Sequence, residues 1–333
     1  MGGDQDQDAV HGSNMGGMSG QYQRRVVVVG GPSGGGKSAL ALTLAERLNG
    51  VVINADAMQV YRELRILTAR PTPADEARAP HRLYGVLPAA EACSAARWRA
   101  MALVEIAAAG DRTPIVVGGT GLYLGALMTG LAPVPEIPRR VRAAARARHR
   151  TLGGARLHAE LAGRDRDMAA RLDPGDGQRL MRAWEVVEAT GRSLAAWQAE
   201  AEGPPANLSF QPILVAPPRA ALYAACDARF CAMIEAGAVE EVRALEALGL
   251  AADQPAMKAL GVPELGRYIA GEIALASAVA QAQQATRHYA KRQLTWFRRQ
   301  PPWVEAGGDA GPLLVTEQLS EKNLTNLVTK LTM

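Results

Sequence analysis

The stretch Val26–Leu40, "VVVVGGPSGGGKSAL", fixes the kind of sheet this chain builds. Four consecutive valines leave no polar face, which marks a strand buried on both sides. The strand runs straight into a glycine-rich turn and then into "ALALTLAERLN", a helix expected to close at Gly50. Gly31, Pro32, Ser33, Gly34, Gly35, Gly36, Lys37 and Ser38 satisfy GxxxxGK[ST] in the strand–loop–helix setting the pattern requires. Glycines let backbone N–H groups converge on phosphate oxygens, and the helix N-terminus adds partial positive charge. Lys37 adds a full charge, and Ser38 can ligate Mg²⁺. The motif selects a polyphosphate. It leaves open whether that is ATP or something else.

Further strands read at Val51–Ile53, at Thr113–Gly119 after a helical stretch around Ser94–Gly110, and at Pro212–Pro218. Strands alternating with helices at these spacings imply parallel pairing, hence an α/β fold with a P-loop-type parallel sheet flanked by helices. From about Pro135 to Thr190 the chain is rich in Ala, Arg, Leu and Glu without β-branched runs, and reads as an all-helical insertion. A second helical region fills Ala220–Arg299. The expected organisation is a disordered tail over 1–24, a core from 25–134 and 205–305, the helical insertion at 135–204, and a tail at 306–333.

The 333 residues are 48% hydrophobic and 21% charged, an ordinary globular composition. Net charge is +4 and the pI about 9.1. Cys93, Cys226 and Cys231 form no CxxC pair, which suits a reducing compartment and gives no support for zinc. No apolar run approaches the roughly 18–20 residues of a membrane span. The first 24 residues are rich in Gly, Gln, Asp and Ser, and have acids where a secretory signal has bases. A cytoplasmic protein without a membrane partner is expected.

Hydrolytic phosphate-loop proteins hold Mg²⁺ with an acid at the end of another strand. "PIVVGGTG" ends in glycines and Thr120, with no acid; "VVINAD" delivers Asp56 just past its strand. Open parallel sheets keep their ligand crevice there. Asp56 can bind metal, act as a base toward an acceptor, or cap a turn. Two acid-free basic stripes follow: "IPRRVRAAARARHR", with Arg139, Arg140, Arg142, Arg146, Arg148 and Arg150, and "TRHYAKRQLTWFRR", with Arg287, Lys291, Arg292, Arg298 and Arg299. Helical periodicity puts Arg287, Lys291 and Arg298 on one face, while Leu294 and Phe297 can pack. Either stripe alone suits a solvated face. Two beside a phosphate site favour a polyanion partner.

These segments, in this order, resemble the bacterial tRNA dimethylallyltransferases, also called tRNA isopentenyltransferases. The resemblance runs from about Arg25 to Trp303 through "GPSGGGKS", "INADAMQVYRELRILTARP", "PHRLYG", "VGGTGLYLGALMTGL", "DPGDGQRLMRAWEVVEATGRSLAAWQ", "MKALGVPEL" and "RHYAKRQLTWFRR". It implies that the loop holds the pyrophosphate of dimethylallyl diphosphate with Mg²⁺. The prenyl group then passes to the exocyclic amine of an adenosine beside the anticodon. Asp56 is implied as the base, and Lys37, Thr120 and Arg229 as donors to the leaving group, with Arg219 a lesser claimant to the Arg role. Contacts to the tRNA anticodon stem-loop are implied at Asp56, Ala57, Met58, Gln59, Thr120, Arg142, Gln178, Arg179, Leu180, Met181, Arg182, Lys258, Gly261, Lys291, Arg292, Gln293, Trp296 and Arg298. The related enzymes imply a monomer. Ala57 stands where the family usually has Ser, and Val262 where it has Tyr. Rival readings are an isopentenyltransferase acting on free adenine nucleotide, a small-molecule kinase, and a nucleotide-gated RNA-binding module.

Overall fold

The computed structural model describes residues 23–303, 312–317 and 321–332. Its sheet has six strands, β1 (Arg24–Gly30), β2 (Gly50–Asn54), β3 (His81–Arg82), β4 (Thr113–Gly118), β5 (Leu208–Val215) and β6 (Leu313–Val315), in the order β3-β2-β4-β1-β5-β6. Every pairing is parallel. β1 lies at the centre, with Val28 opposite both Val116 and Pro212. Its Val26–Val29 run is fully buried because the four side chains alternate between two different cores.

The helices are α1 (Lys37–Arg47), α2 (Pro73–Arg78), α3 (Ala95–Ala108), α4 (Gly121–Thr129), α5 (Arg139–Ala162), α6 (Arg166–Ala169), α7 (Gly177–Thr190), α8 (Leu194–Ala199), α9 (Arg219–Glu235), α10 (Ala238–Glu246), α11 (Val262–Ile269), α12 (Leu275–Phe297) and α13 (Glu321–Thr332). On one sheet face, α3, α4 and α9–α12 bury Trp98, Leu124, Phe230 and Phe297 against Val26 and Val28. On the other, α1 and α13 cover Val27 and Val29 with Leu42, Leu44, Leu324 and Leu327. Between α4 and β5, helices α5–α8 enclose a separate cluster around Leu157, Leu180 and Trp184. The long run of α5 is broken at Gly153 (φ 72°, ψ 173°), the first of two adjacent glycines. No helix among the described residues is long and apolar enough to cross a membrane.

Three expectations need correction. Gly50 does not end the first helix: α1 stops at Arg47, and Gly50 is the first residue of β2. Gln23 and Arg24 are ordered rather than part of a tail, the Gln23 amide donating to the Ala206 carbonyl (2.9 Å). Residues 1–22, the rest of the expected tail, lie outside those described. The stretch after 306 adds β6 to the sheet edge and α13 to the second core. A three-residue strand beside glycines carries too little periodicity to read from sequence.

Candidate active site

Strand order reverses between β1 and β4: β1 leads through α1 toward β2, whereas β4 leads toward β5 on the opposite side. Ligand crevices of open α/β sheets form at such a switch point, beyond the strands' carboxyl ends. The loop between β1 and α1 lies here, with Gly34 (φ 78°) and Gly36 (φ 89°) in the left-handed region that admits glycine. Gly36 is the N-cap of α1, so its successors Lys37 and Ser38 open the helix. The Lys37 ammonium donates to the Pro32 carbonyl at 2.6 Å, within its own loop. Burial pushes its pKa down to about 8; Asp56 opposes that shift, and the Arg229 guanidinium adds to it.

Asp56 is held by the residues around it. Asn54, fully buried at the end of β2, accepts the Asp56 N–H on Oδ1 (2.8 Å) and donates from Nδ2 to the carbonyls of Asp56 and Leu83 (both 3.1 Å). The Trp98 indole N–H donates to the Asn54 carbonyl (2.8 Å). Asp56 Oδ1 accepts the N–H of Met58 (2.8 Å) and, more weakly, of Gln59 (3.4 Å), closing a turn. Thr120 Oγ1 accepts the Ala57 N–H (2.9 Å), which ties this turn to the end of β4. Here the main chain of residue 57, rather than a side-chain hydroxyl, makes the link.

A cavity of about 250 Å³ opens beside the loop. Ser33, Gly34, Asp56, Arg229, Lys258, Tyr289 and Arg292 form its polar wall; Met58, Leu67, Phe230, Met233, Ala259 and Leu260 form its apolar one. Arg229 reaches across to donate to the Thr68 carbonyl (3.1 Å), and its burial lowers its pKa against the pull of Asp56. Tyr289 presents a phenol whose pKa is raised by burial and then by Asp56, and its hydroxyl meets the side chains of Thr120 and Gln293. The ring is therefore neutral across the working pH range.

Of the residues the sequence singled out, the structure gathers Ser33, Gly34, Asp56, Met58, Arg229, Lys258 and Arg292 around one cavity, with Lys37 and Thr120 touching the same network. Arg219 is exposed, stacks over Tyr223 (5.0 Å) and does not line the cavity. Arg142 and residues 178–182 lie apart from it, on α5 and α7. Three of the residues expected to touch RNA are buried: Leu180 is at the centre of the helical cluster, Gly261 lies where a Cβ would run into Leu67 and Phe230, and Gln293 points inward against Ser33 and Gly119. Gln59 spends its amide N–H groups on the carbonyls of Thr68 (2.9 Å) and Ala69 (3.1 Å). Among the basic stripes, Arg148 pairs with Glu160, Arg146 with Asp253 and Arg287 with Asp227. Lys291 and Arg298 remain exposed on α12.

Sequence reasoning missed Asn54, Tyr289 and the apolar wall. Two signals were available: a polar residue ending a β-branched strand directly before an Asp, and the spacing of Thr286, Tyr289 and Gln293, which puts all three on one face of a helix.

Fold and site together define an α/β protein with a pocket whose wall is polar and charged on one side and apolar on the other. The family model for IPP transferase matches residues 59–300 of this chain. The chain is 62% identical over 280 residues to the tRNA dimethylallyltransferase of Rhodospirillum centenum, covering 83% of this chain and 89% of the relative. Against that of Paramagnetospirillum magneticum it is 52% identical, covering 92% and 95%. Among solved structures, the tRNA isopentenylpyrophosphate transferase of Bacillus halodurans superposes with a TM-score of 0.66 at 29% identity, over 93% of this chain and 96% of that one. A eukaryotic dimethylallyltransferase captured acting on tRNA gives 0.71 at 25% identity, over 83% and 70%. This chain belongs to the IPP transferase family.

Proposed function

We propose that the chain transfers a dimethylallyl group from dimethylallyl diphosphate to the 6-amino group of an adenosine next to the anticodon of tRNA, releasing diphosphate. One observation carries this reading: a single cavity joins the glycine loop and its cations to a wall of Leu67, Phe230, Met233 and Leu260. An isoprenoid diphosphate has both characters. The apolar wall offers nothing to the hydroxyl of a kinase substrate.

In the reaction, the bond between the allylic carbon and the diphosphate oxygen breaks as a bond to the adenine nitrogen forms. Negative charge grows on the leaving group. Lys37, Arg229 and the loop N–H groups meet it, and losing one such donor typically costs roughly 3–4 kcal/mol. The nitrogen's proton passes to Asp56, whose Oδ1 is occupied by the turn and whose Oδ2 carries no hydrogen bond among the described residues. Leu67, Phe230 and Met233 shield the five-carbon unit from water, which would otherwise capture an allylic cation.

Mg²⁺ fits this donor set. Ser38 is exposed beside Lys37 at the start of α1, and a hard cation that keeps several waters needs only one or two protein oxygens plus phosphate oxygens. When bound, the ion would neutralise charge on the departing diphosphate. Lys291, Arg292 and Arg298 on α12, Lys258, and Arg142 with the start of α7 would receive the RNA.

The test supplies labelled dimethylallyl diphosphate and Mg²⁺ with an adenosine-rich anticodon stem-loop, with AMP, or with neither. Label in the RNA alone is expected. Label only in AMP would move the acceptor to free nucleotide. No prenyl transfer in any arm, with ATP consumed in a parallel incubation that supplies it, would replace the reading with a kinase.

A further inference from the structure

We infer that Gln293 is a positioning residue that sets the phosphate loop in its ligand-ready shape. The inference rests on the reading of that loop as a diphosphate site. Gln293 sits in a segment of α12 flanked by exposed cations, which invites an assignment to RNA contact. Its side chain, however, is only 5% exposed, on the inner side of the helix.

Both ends of the buried amide are in use. Oε1 accepts the N–H of Ser33 at 2.8 Å, and Nε2 donates to the carbonyl of Gly119, also at 2.8 Å. One side chain thus ties together the loop after β1, the loop after β4 and α12. The tie extends on both sides. Gly119 precedes Thr120, which holds the turn of Asp56 through the Ala57 N–H, and Gln293 also meets the Tyr289 hydroxyl. The fit to Gly119 is close: a Cβ there would stand 2.2 Å from Nε2, so the second glycine of "VGGTG" makes room for this amide.

Two consequences follow. The Ser33 N–H is spent on protein and not on ligand, so Gln293 acts by orienting the N–H groups after it. It also does so before any diphosphate arrives. Donors aimed in advance need no rearrangement when charge develops. Without the amide, the Ser33 N–H and Gly119 carbonyl would be left unpaired in the interior. Burying them so is unfavourable unless the loop moves to find water. The loss should therefore appear in diphosphate binding and leave RNA binding alone.

The experiment measures binding of inorganic pyrophosphate with Mg²⁺, and separately of an anticodon stem-loop RNA, to wild type, Gln293→Leu and Gln293→Glu. Leucine keeps the bulk and removes both hydrogen bonds; glutamate restores the acceptor for Ser33. Pyrophosphate affinity is expected to fall on the order of 10–100-fold in Gln293→Leu. RNA affinity, which doubles as evidence of folding, should stay within about twofold. In turnover, KM for the prenyl donor should rise while KM for RNA does not. RNA affinity falling with pyrophosphate binding intact would make Gln293 an RNA contact and overturn the inference. So would unchanged binding of both ligands. If Gln293→Leu does not fold, Gln293→Glu decides, since it keeps the acceptor for Ser33 and loses only the donor to Gly119. A smaller fall in pyrophosphate affinity with RNA affinity unchanged then supports the inference, and unchanged binding of both ligands or a fall confined to RNA overturns it. Failure of wild type to bind pyrophosphate at all would instead refute the diphosphate reading of the loop.

Discussion

Asp56 has one carboxylate oxygen committed to its own turn and no hydrogen bond on the other among the described residues, while Asn54 holds its main-chain N–H and carbonyl. Asp56→Asn is isosteric and keeps the acceptor oxygen for the Met58 N–H. It should lower kcat by about 10²–10⁴ through loss of the base. Pyrophosphate and RNA affinities, measured directly, should hold. Lys37 makes a second case, in which pH is the probe. Its pKa of about 8 in the free protein lies below the ordinary 10.5, so the ammonium loses its proton as pH rises through 8. A diphosphate needs the charged form. Pyrophosphate affinity should therefore decline above pH 8, by at most about tenfold per unit, with proton uptake on binding seen by calorimetry in buffers of different ionisation enthalpy. Lys37→Met should bind weakly at every pH and lose that inflection.

Among the elements, α12 divides its labour by face. Ala290, Gln293, Leu294 and Phe297 turn inward, whereas Lys291, Arg292 and Arg298 look out. The periodicity of "YAKRQLTWF" foretold the packing of Leu294 and Phe297, but it could not say that the amide just before Leu294 was internal. Polarity alone assigns a Gln to the surface, and only the paired loops reveal its partners. The valine run, the glycine loop and the carboxylate past β2 were legible because each is a local pattern. The apolar wall was not, since Leu67, the α9 pair Phe230 and Met233, and Leu260 come from three separate parts of the chain and meet only in the fold. The same holds for α13, whose Leu324, Leu327 and Leu331 pack against the sheet. Leu327→Ala should destabilise the protein by roughly 2–5 kcal/mol in denaturant unfolding, the range for a buried leucine. A change near zero would detach α13 from the core.

At the scale of the whole molecule, a net charge of +4 understates the field that an RNA would meet. Part of the basic excess is neutralised locally, as with Arg148 and Glu160 or Arg287 and Asp227. Arg139, Arg140 and Arg142 at the start of α5 have no ion-pair partner among the described residues. Each phosphate they neutralise would release counterions. Arg142→Ala should thus flatten the plot of log RNA affinity against log salt by about 0.7–0.9 while leaving pyrophosphate binding unaltered. An unchanged slope would take Arg142 out of the interface.

The central strand has a second meaning for how the molecule is made. Arg24 of β1 lies beside Leu208 of β5, with all of α1 to α8 between them in the chain. During synthesis β1 therefore keeps one raw edge until residue 208 has been translated, even if its β4 side has already zipped. An unpaired strand with four consecutive valines is the kind of template on which nascent chains stick to one another. The burden falls on whatever shelters the ribosome's exit while the helices between are being spun.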